Sequence, residues 1–132
     1  MMRRLVRRLV WRVSWPLAFS LDAAVVRIDI VDAQSGDRLP ARVYLQSLAD
    51  QSWHFVSPAD DAGTAVRYDK QNWINARSIE RHTTVSAHPV SADLPPGEYE
   101  LTVERGKDYF PAVERLQVQE RPVDVTVRLL RW

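Results

Sequence analysis

The stretch Leu94–Pro111, LPPGEYELTVERGKDYFP, places two turns around one alternating strand. Pro95–Gly97 is turn chemistry, because proline presets φ and glycine accepts positive φ at little steric cost. Arg105–Asp108 turns the chain again. The residues between these turns alternate apolar and polar side chains with a period of two, which is typical of a half-buried strand. Its apolar members are Tyr99, Leu101 and Val103.

The same alternation recurs along the chain between turn signals, and no helical block interrupts it. This pattern predicts an all-β fold, a seven- to eight-stranded antiparallel β-sandwich of transthyretin-like or Ig-like type. Residues 58–76 show no alternation and are predicted as a long loop. Trp53 is predicted to lie in the core, and His82 on the surface. The predicted strands span 23–33, 39–48, 52–56, 78–87, 98–104, 112–119 and 123–129.

The first 22 residues form a separate segment, followed by the predicted sandwich domain over residues 23–132. Residues 1–20 contain five arginines and no acidic residue, and their helical wheel predicts a short, basic, amphipathic helical leader. Three interpretations stay open: a secretory signal, a helix on a membrane surface, or an untethered leader. A signal would imply a secreted or periplasmic protein, and the other interpretations leave a cytoplasmic one possible. No apolar run is long enough to predict a transmembrane span.

Composition narrows the function classes. At 132 residues the chain fits one domain, and without cysteine it has neither a disulfide nor a thiol nucleophile. After residue 20 there are 13 basic and 17 acidic residues, a net charge of −4 with mixed signs. This balance does not predict binding to nucleic acid.

The Leu94–Pro111 stretch and the terminal Arg128–Trp132, RLLRW, together carry a resemblance. Over about residues 25–132 the chain resembles the N-terminal accessory domain of CehA/McbA-type metallohydrolases, which belong to the PHP phosphoesterase superfamily. More loosely, it is similar to carboxypeptidase-regulatory-like and transthyretin-like sandwiches. The resemblance implies that catalytic metals lie in a following domain that opens with a His-x-His motif. It assigns no catalytic role to His54, His82 or His88.

These observations predict a non-catalytic accessory domain that docks on, or positions, a metallohydrolase domain in cis or in trans. No catalytic residue, metal site or cofactor is predicted. The candidate partner-binding residues combine charged and aromatic groups of the 105–109 turn with the terminal pair, and they are Arg105, Lys107, Asp108, Tyr109, Arg131 and Trp132.

An alternative is a stand-alone module that binds carbohydrate or cell-wall material through aromatic residues of the predicted loop. Its candidate ligand-binding residues are Tyr68, Asn72 and Trp73. In the same region, Asp60, Asp61 and Asp69 offer oxygen ligands for Ca²⁺. Their spacing does not match an EF-hand loop, so a solvated acidic loop is the preferred interpretation.

Overall fold

The computed structural model describes residues 23–71, 74 and 79–132, and within them it contains ten strands and no helix. The predicted all-β sandwich is confirmed. The predicted helical leader, residues 1–22, lies outside the described residues. No helix in the described part of the chain could cross a membrane. The strands are β1 (Ala24–Asp32), β2 (Ala41–Ser47), β3 (Trp53–His54), β4 (Ser57–Pro58), β5 (Ala65–Gln71), β6 (Ile79–Val85), β7 (Val90–Leu94), β8 (Gly97–Glu104), β9 (Ala112–Val118) and β10 (Val123–Leu129).

The strands form two sheets. The smaller sheet has the order β10-β1-β7-β4, and the larger has the order β5-β6-β2-β8-β9, with β3 paired to β2. Every named strand pair is antiparallel except β1 with β10, which run parallel from the Val26–Val123 pair to the Asp32–Leu129 pair. The sequence predicted antiparallel strands only. Alternation within a strand reports burial but not strand direction, and β1 and β10 are too distant in sequence for a hairpin to set it.

The core lies between the sheets and takes alternate residues from each long strand. β1 and β8 bury every second side chain, so the predicted period of two is realised. Burying one such aliphatic side chain contributes roughly 1.5–3 kcal/mol relative to leaving it in water. The largest fully buried side chains are Ile28, Leu45, Leu94, Leu101, Leu129, Val26, Val43, Val85, Val90, Val103, Val118 and Val127.

β8, which comes from the opening stretch, lies between β2 and β9 in the larger sheet. Tyr99 is buried and donates its hydroxyl hydrogen bond to the carbonyl of Pro95, at 2.6 Å. This bond fastens the strand to the turn that precedes it. Both the buried apolar face of β8 and the turn that precedes it therefore fix the position of this strand.

The predicted loop over residues 58–76 is wrong in part, because β5 occupies Ala65–Gln71 and pairs with β6. β5 is an edge strand, and its described side chains are mostly exposed. Val66 is 64% exposed and Tyr68 39%. When neither face of a strand is strongly buried, its sequence need not alternate between apolar and polar residues, so the pattern does not reveal the strand.

Two predictions about single residues are corrected. Trp53, predicted in the core, is only half-buried, because it pairs with the outward-facing Gln46 of β2. The strand predicted over 52–56 ends at His54, and the chain then crosses to the other sheet as β4. His82, predicted on the surface, is only 4% exposed. The rings of Tyr68 and Tyr44 pack on it at centroid distances of 5.0 and 5.1 Å. Cross-strand neighbours therefore bury an outward-facing residue.

Candidate functional site

The turn after β8 and the end of the chain pair through their backbones. Tyr109 and Arg131 form an antiparallel bridge. The Phe110 amide donates to the Leu130 carbonyl, and the Trp132 amide donates to the Asp108 carbonyl, each at 2.9 Å. The turn and the chain end therefore lie on the same side of the sandwich.

These segments line a concave surface with a cavity volume of about 670 Å³, here called the turn groove. Gly106 is one of its lining residues and has a φ of +53°, a left-handed conformation that glycine adopts readily. A smaller hollow on the same turn adds Asp108 and Arg131. The turn groove is lined by Arg42, Glu104, Arg105, Gly106, Lys107, Tyr109, Pro111 and Trp132.

The turn groove and its adjoining hollow carry more positive than negative charge. Four basic side chains stand against two acidic ones. Such a surface favours an acidic partner and can donate charge-assisted hydrogen bonds to carboxylates. The basic residues are Arg42, Arg105, Lys107 and Arg131, and the acidic residues are Glu104 and Asp108.

Side-chain hydrogen bonds hold the turn to the body of the sandwich. The Tyr109 hydroxyl donates to a carboxylate oxygen of Asp32 at 2.7 Å, and the Arg105 guanidinium donates to the Pro40 carbonyl at 2.8 Å. The backbone N–H of Ser35 and then the Tyr109 hydroxyl lower the pKa of Asp32 to about 2. The same bond to Asp32 raises the pKa of Tyr109. The carboxylate thus accepts hydrogen bonds from two segments and joins the 32–37 turn to the 105–109 turn.

An exposed aromatic pair borders the turn groove. Phe110 and Trp132 stack with ring centroids 4.5 Å apart and planes 17° from parallel. Trp132 is 79% exposed and Phe110 is 43% exposed. Aromatic area beside basic side chains is the composition that concentrates binding energy in protein interfaces.

The structure brings together all six candidate partner-binding residues predicted from the sequence. Of the three candidate ligand-binding residues, the structure describes one. Tyr68 lies away from the turn groove, on the edge strand β5, while Asn72 and Trp73 lie outside the described residues.

Two of the three acidic residues that could have offered Ca²⁺ ligands have other partners. Asp69 forms ion pairs with Arg81 at 3.0 Å and Arg67 at 3.4 Å. Asp60 accepts a hydrogen bond from the Ala62 amide in a local turn. In residues 23–71, 74 and 79–132, no group of three or more histidine, aspartate and glutamate side chains could hold a metal ion.

The structure contains two serine–histidine contacts that the sequence spacing did not indicate. Ser52 lies 3.2 Å from His54, but its hydroxyl also lies 2.7 Å from an Asp50 carboxylate oxygen. Since a carboxylate only accepts, the serine proton points to Asp50 and the imidazole must donate to the serine oxygen. His54 is therefore not placed as a base toward Ser52.

The second contact joins Ser86 to His88 at 3.2 Å, and the Thr64 amide donates to the same serine oxygen at 2.8 Å. Both residues belong to the turn between β6 and β7. The hydroxyl is free to donate to the imidazole, but within the described residues no third side chain hydrogen-bonds to His88 to orient it. A catalytic arrangement needs such an orienting group.

A second hollow, here called the outer-face pocket, lies on the solvent side of the larger sheet and has a cavity volume of about 140 Å³. This pocket was not predicted from the sequence. The signal that could have indicated it is an aromatic residue, Tyr44, on the side of β2 that faces away from the core. The pocket is lined by Tyr44, Gln46, Trp53, Glu100, Thr102 and Glu104, all half-buried.

Comparison with known proteins gives a similarity of fold. No protein-family model and no curated protein matches the chain. Among solved structures it is similar to a pilus 2b backbone protein of group B streptococcus, with a TM-score of 0.50 and 14% sequence identity over 83% of this chain. The match spans 41% of that protein. At this identity the similarity supports the β-sandwich architecture alone.

Proposed function

We propose that this chain is a non-catalytic β-sandwich accessory domain that docks on, or positions, a metallohydrolase domain of the PHP superfamily. The observation that carries the proposal is the backbone pairing of the 105–109 turn with residues 130–132. It unites in one basic, aromatic surface the two sequence segments on which the family resemblance rests.

The construction of the turn groove suits a permanent docking surface. The Asp32–Tyr109 and Arg105–Pro40 hydrogen bonds hold the turn in place before a partner arrives. A preorganised surface loses less conformational entropy on binding. Lys107 and Trp132 remain exposed, so they can contact the partner directly.

The charge of the turn groove indicates the chemistry of the partner. We infer that the contacting face of the hydrolase domain carries aspartate or glutamate side chains opposite Lys107 and Arg131. Increasing ionic strength should then weaken the complex, because screening reduces attraction between exposed charges.

The decisive experiment measures the affinity of this chain for a purified PHP-type metallohydrolase domain from the same genome by isothermal titration calorimetry. Lys107→Ala with Tyr109→Ala is expected to weaken binding by at least about tenfold, because hydrogen bonds to charged groups contribute about 1.5–3 kcal/mol. The matched control is Glu98→Ala with Gln117→Ala, an exposed cross-strand pair at the other end of β8. The control should bind like the wild type.

Two results would contradict the proposal. One is the absence of any complex with the hydrolase domain. The other is equal affinity for the 107/109 variant and the wild type. Carbohydrate binding through Tyr68, Asn72 and Trp73 stays a prediction, since only Tyr68 lies among the described residues.

A further inference from the structure

The outer face of the larger sheet carries a cross-strand row made of three aromatic rings, a threonine and a valine. Tyr68 is paired with His82, and Tyr44 with Thr102, which is in turn opposite Val113. His82 contacts both tyrosine rings and closes the row between β6 and β2. Five neighbouring strands therefore contribute one residue each to a continuous line across the sheet.

The outer-face pocket lies beside this row. Trp53, which pairs with Gln46 across β3 and β2, adds a second aromatic wall next to Tyr44. Along β8, Glu100, Thr102 and Glu104 occupy successive outward positions. The pocket thus has aromatic rings on one side and a line of hydrogen-bonding groups on the other.

This combination fits a sugar ring. The C–H face of a pyranose is apolar and packs on aromatic rings, while its hydroxyl groups can donate to carboxylates and exchange hydrogen bonds with an amide or a hydroxyl. The volume of about 140 Å³ lies below the roughly 300–1,000 Å³ of pockets for drug-sized ligands. A single ring of a longer chain matches this size.

Charge decides between kinds of ligand. The lining contains the two carboxylates of Glu100 and Glu104 and no basic side chain, which disfavours an anionic sugar. Arg42 stands opposite Glu104, and Arg115 opposite Glu100, in the strand register. These guanidinium groups lie outside the pocket lining, so the carboxylates remain available to accept hydrogen bonds from sugar hydroxyls.

We propose that the outer-face pocket binds a neutral pyranose unit of a polysaccharide, with Trp53 and Tyr44 stacking on the ring and Glu100 accepting hydrogen bonds from its hydroxyls. This site differs from the predicted Tyr68, Asn72 and Trp73 set. The proposal is also independent of the docking function, because sugar binding at this pocket can be present or absent whether or not the turn groove binds a partner.

The test titrates the full chain with maltohexaose, cellohexaose and chitohexaose by isothermal titration calorimetry. At least one of these neutral oligosaccharides is expected to bind saturably. Trp53→Ala should weaken that binding by at least about tenfold. Glu100→Gln, which keeps the side-chain shape, should weaken it less but measurably. The matched aromatic control is Phe110→Ala, which removes an exposed ring outside the pocket and should leave sugar affinity unchanged.

Two further ligands separate the alternatives. An oligogalacturonate is expected not to bind, since its carboxylates would face Glu100 and Glu104. Hexalysine is expected not to compete with the sugar. The proposal is overturned if none of the neutral oligosaccharides binds, or if Glu100→Gln has an unchanged melting temperature and binds the sugar like the wild type. It is also overturned if hexalysine binds and Trp53→Ala abolishes that binding.

Discussion

The turn groove and the outer-face pocket both include Glu104, yet they are built differently. Residues of the groove come mostly from one continuous turn and from the chain end that pairs with it. The pocket takes its residues from β2, β3 and β8, and these residues meet only through strand register. A surface made by a local segment is visible in the sequence, whereas a surface made by register is not. The charges also differ, since the groove is basic and the pocket lining is acidic.

The largest effect is expected from the buried face that supports both surfaces. Leu101 is fully buried in β8, with Leu45 opposite it on β2. Leu101→Ala should lower the free energy of unfolding by about 2–5 kcal/mol, because it removes buried contacts and leaves a cavity. Chemical denaturation measures this change. Val113→Ala, at a position 60% exposed, is the control and should change stability by less than about 0.5 kcal/mol. Equal effects would contradict the assignment of the two faces.

A pH-dependent effect is expected from the outer face. Burial lowers the pKa of His82 below its ordinary 6.5, and Arg42 lowers it further. The unfolded chain therefore binds a proton before the folded chain does, so the folded state should lose stability as pH falls below about 6.5, until the lowered pKa is reached. Thermal melts of the wild type and His82→Gln between pH 7 and pH 5 would measure this. Tyr68→Ala, which uncovers the ring, should reduce the slope, and an unchanged slope in His82→Gln would exclude His82 as its source.

A smaller effect is expected where the turn groove joins the sandwich. Tyr109→Phe removes the hydroxyl that donates to Asp32. The pKa of Asp32, about 2 in the wild type, should rise toward its ordinary 3.8 but stay below it, because the Ser35 and Gln34 amides still donate to the carboxylate. Carboxyl-detected NMR titration of this aspartate reports the change. An Asp32 titration identical in the two proteins would show that the tyrosine does not hold the turn.

The fold was largely predictable because it depends on local alternation. β1, β2, β8 and β10 each bury alternate side chains, and that period is written in their sequences. β5 was missed because an edge strand exposes most of its residues and needs no apolar face. The parallel pairing of β1 with β10 was missed because burial patterns do not encode direction.

The candidate partner-binding residues could be found from local sequence, whereas residues whose surroundings depend on other strands could not. The 105–109 turn and the terminal Arg131 and Trp132 stood out as polar and aromatic groups at segment ends. The bridge between Tyr109 and Arg131 then placed them together. Trp53 and His82 were misplaced because their surroundings depend on residues of other strands. No local pattern specifies that Tyr68 covers His82.

The most direct test of the turn groove as the docking surface is amide NMR of the labelled chain during titration with an unlabelled PHP-type metallohydrolase domain. The expected result is that the largest shifts and line broadening occur at Gly106, Lys107, Tyr109 and Arg131, while the amides of Tyr44, Trp53 and Thr102 keep their positions. Shifts confined to the outer-face pocket, or a spectrum that does not change at saturating partner, would contradict the assignment.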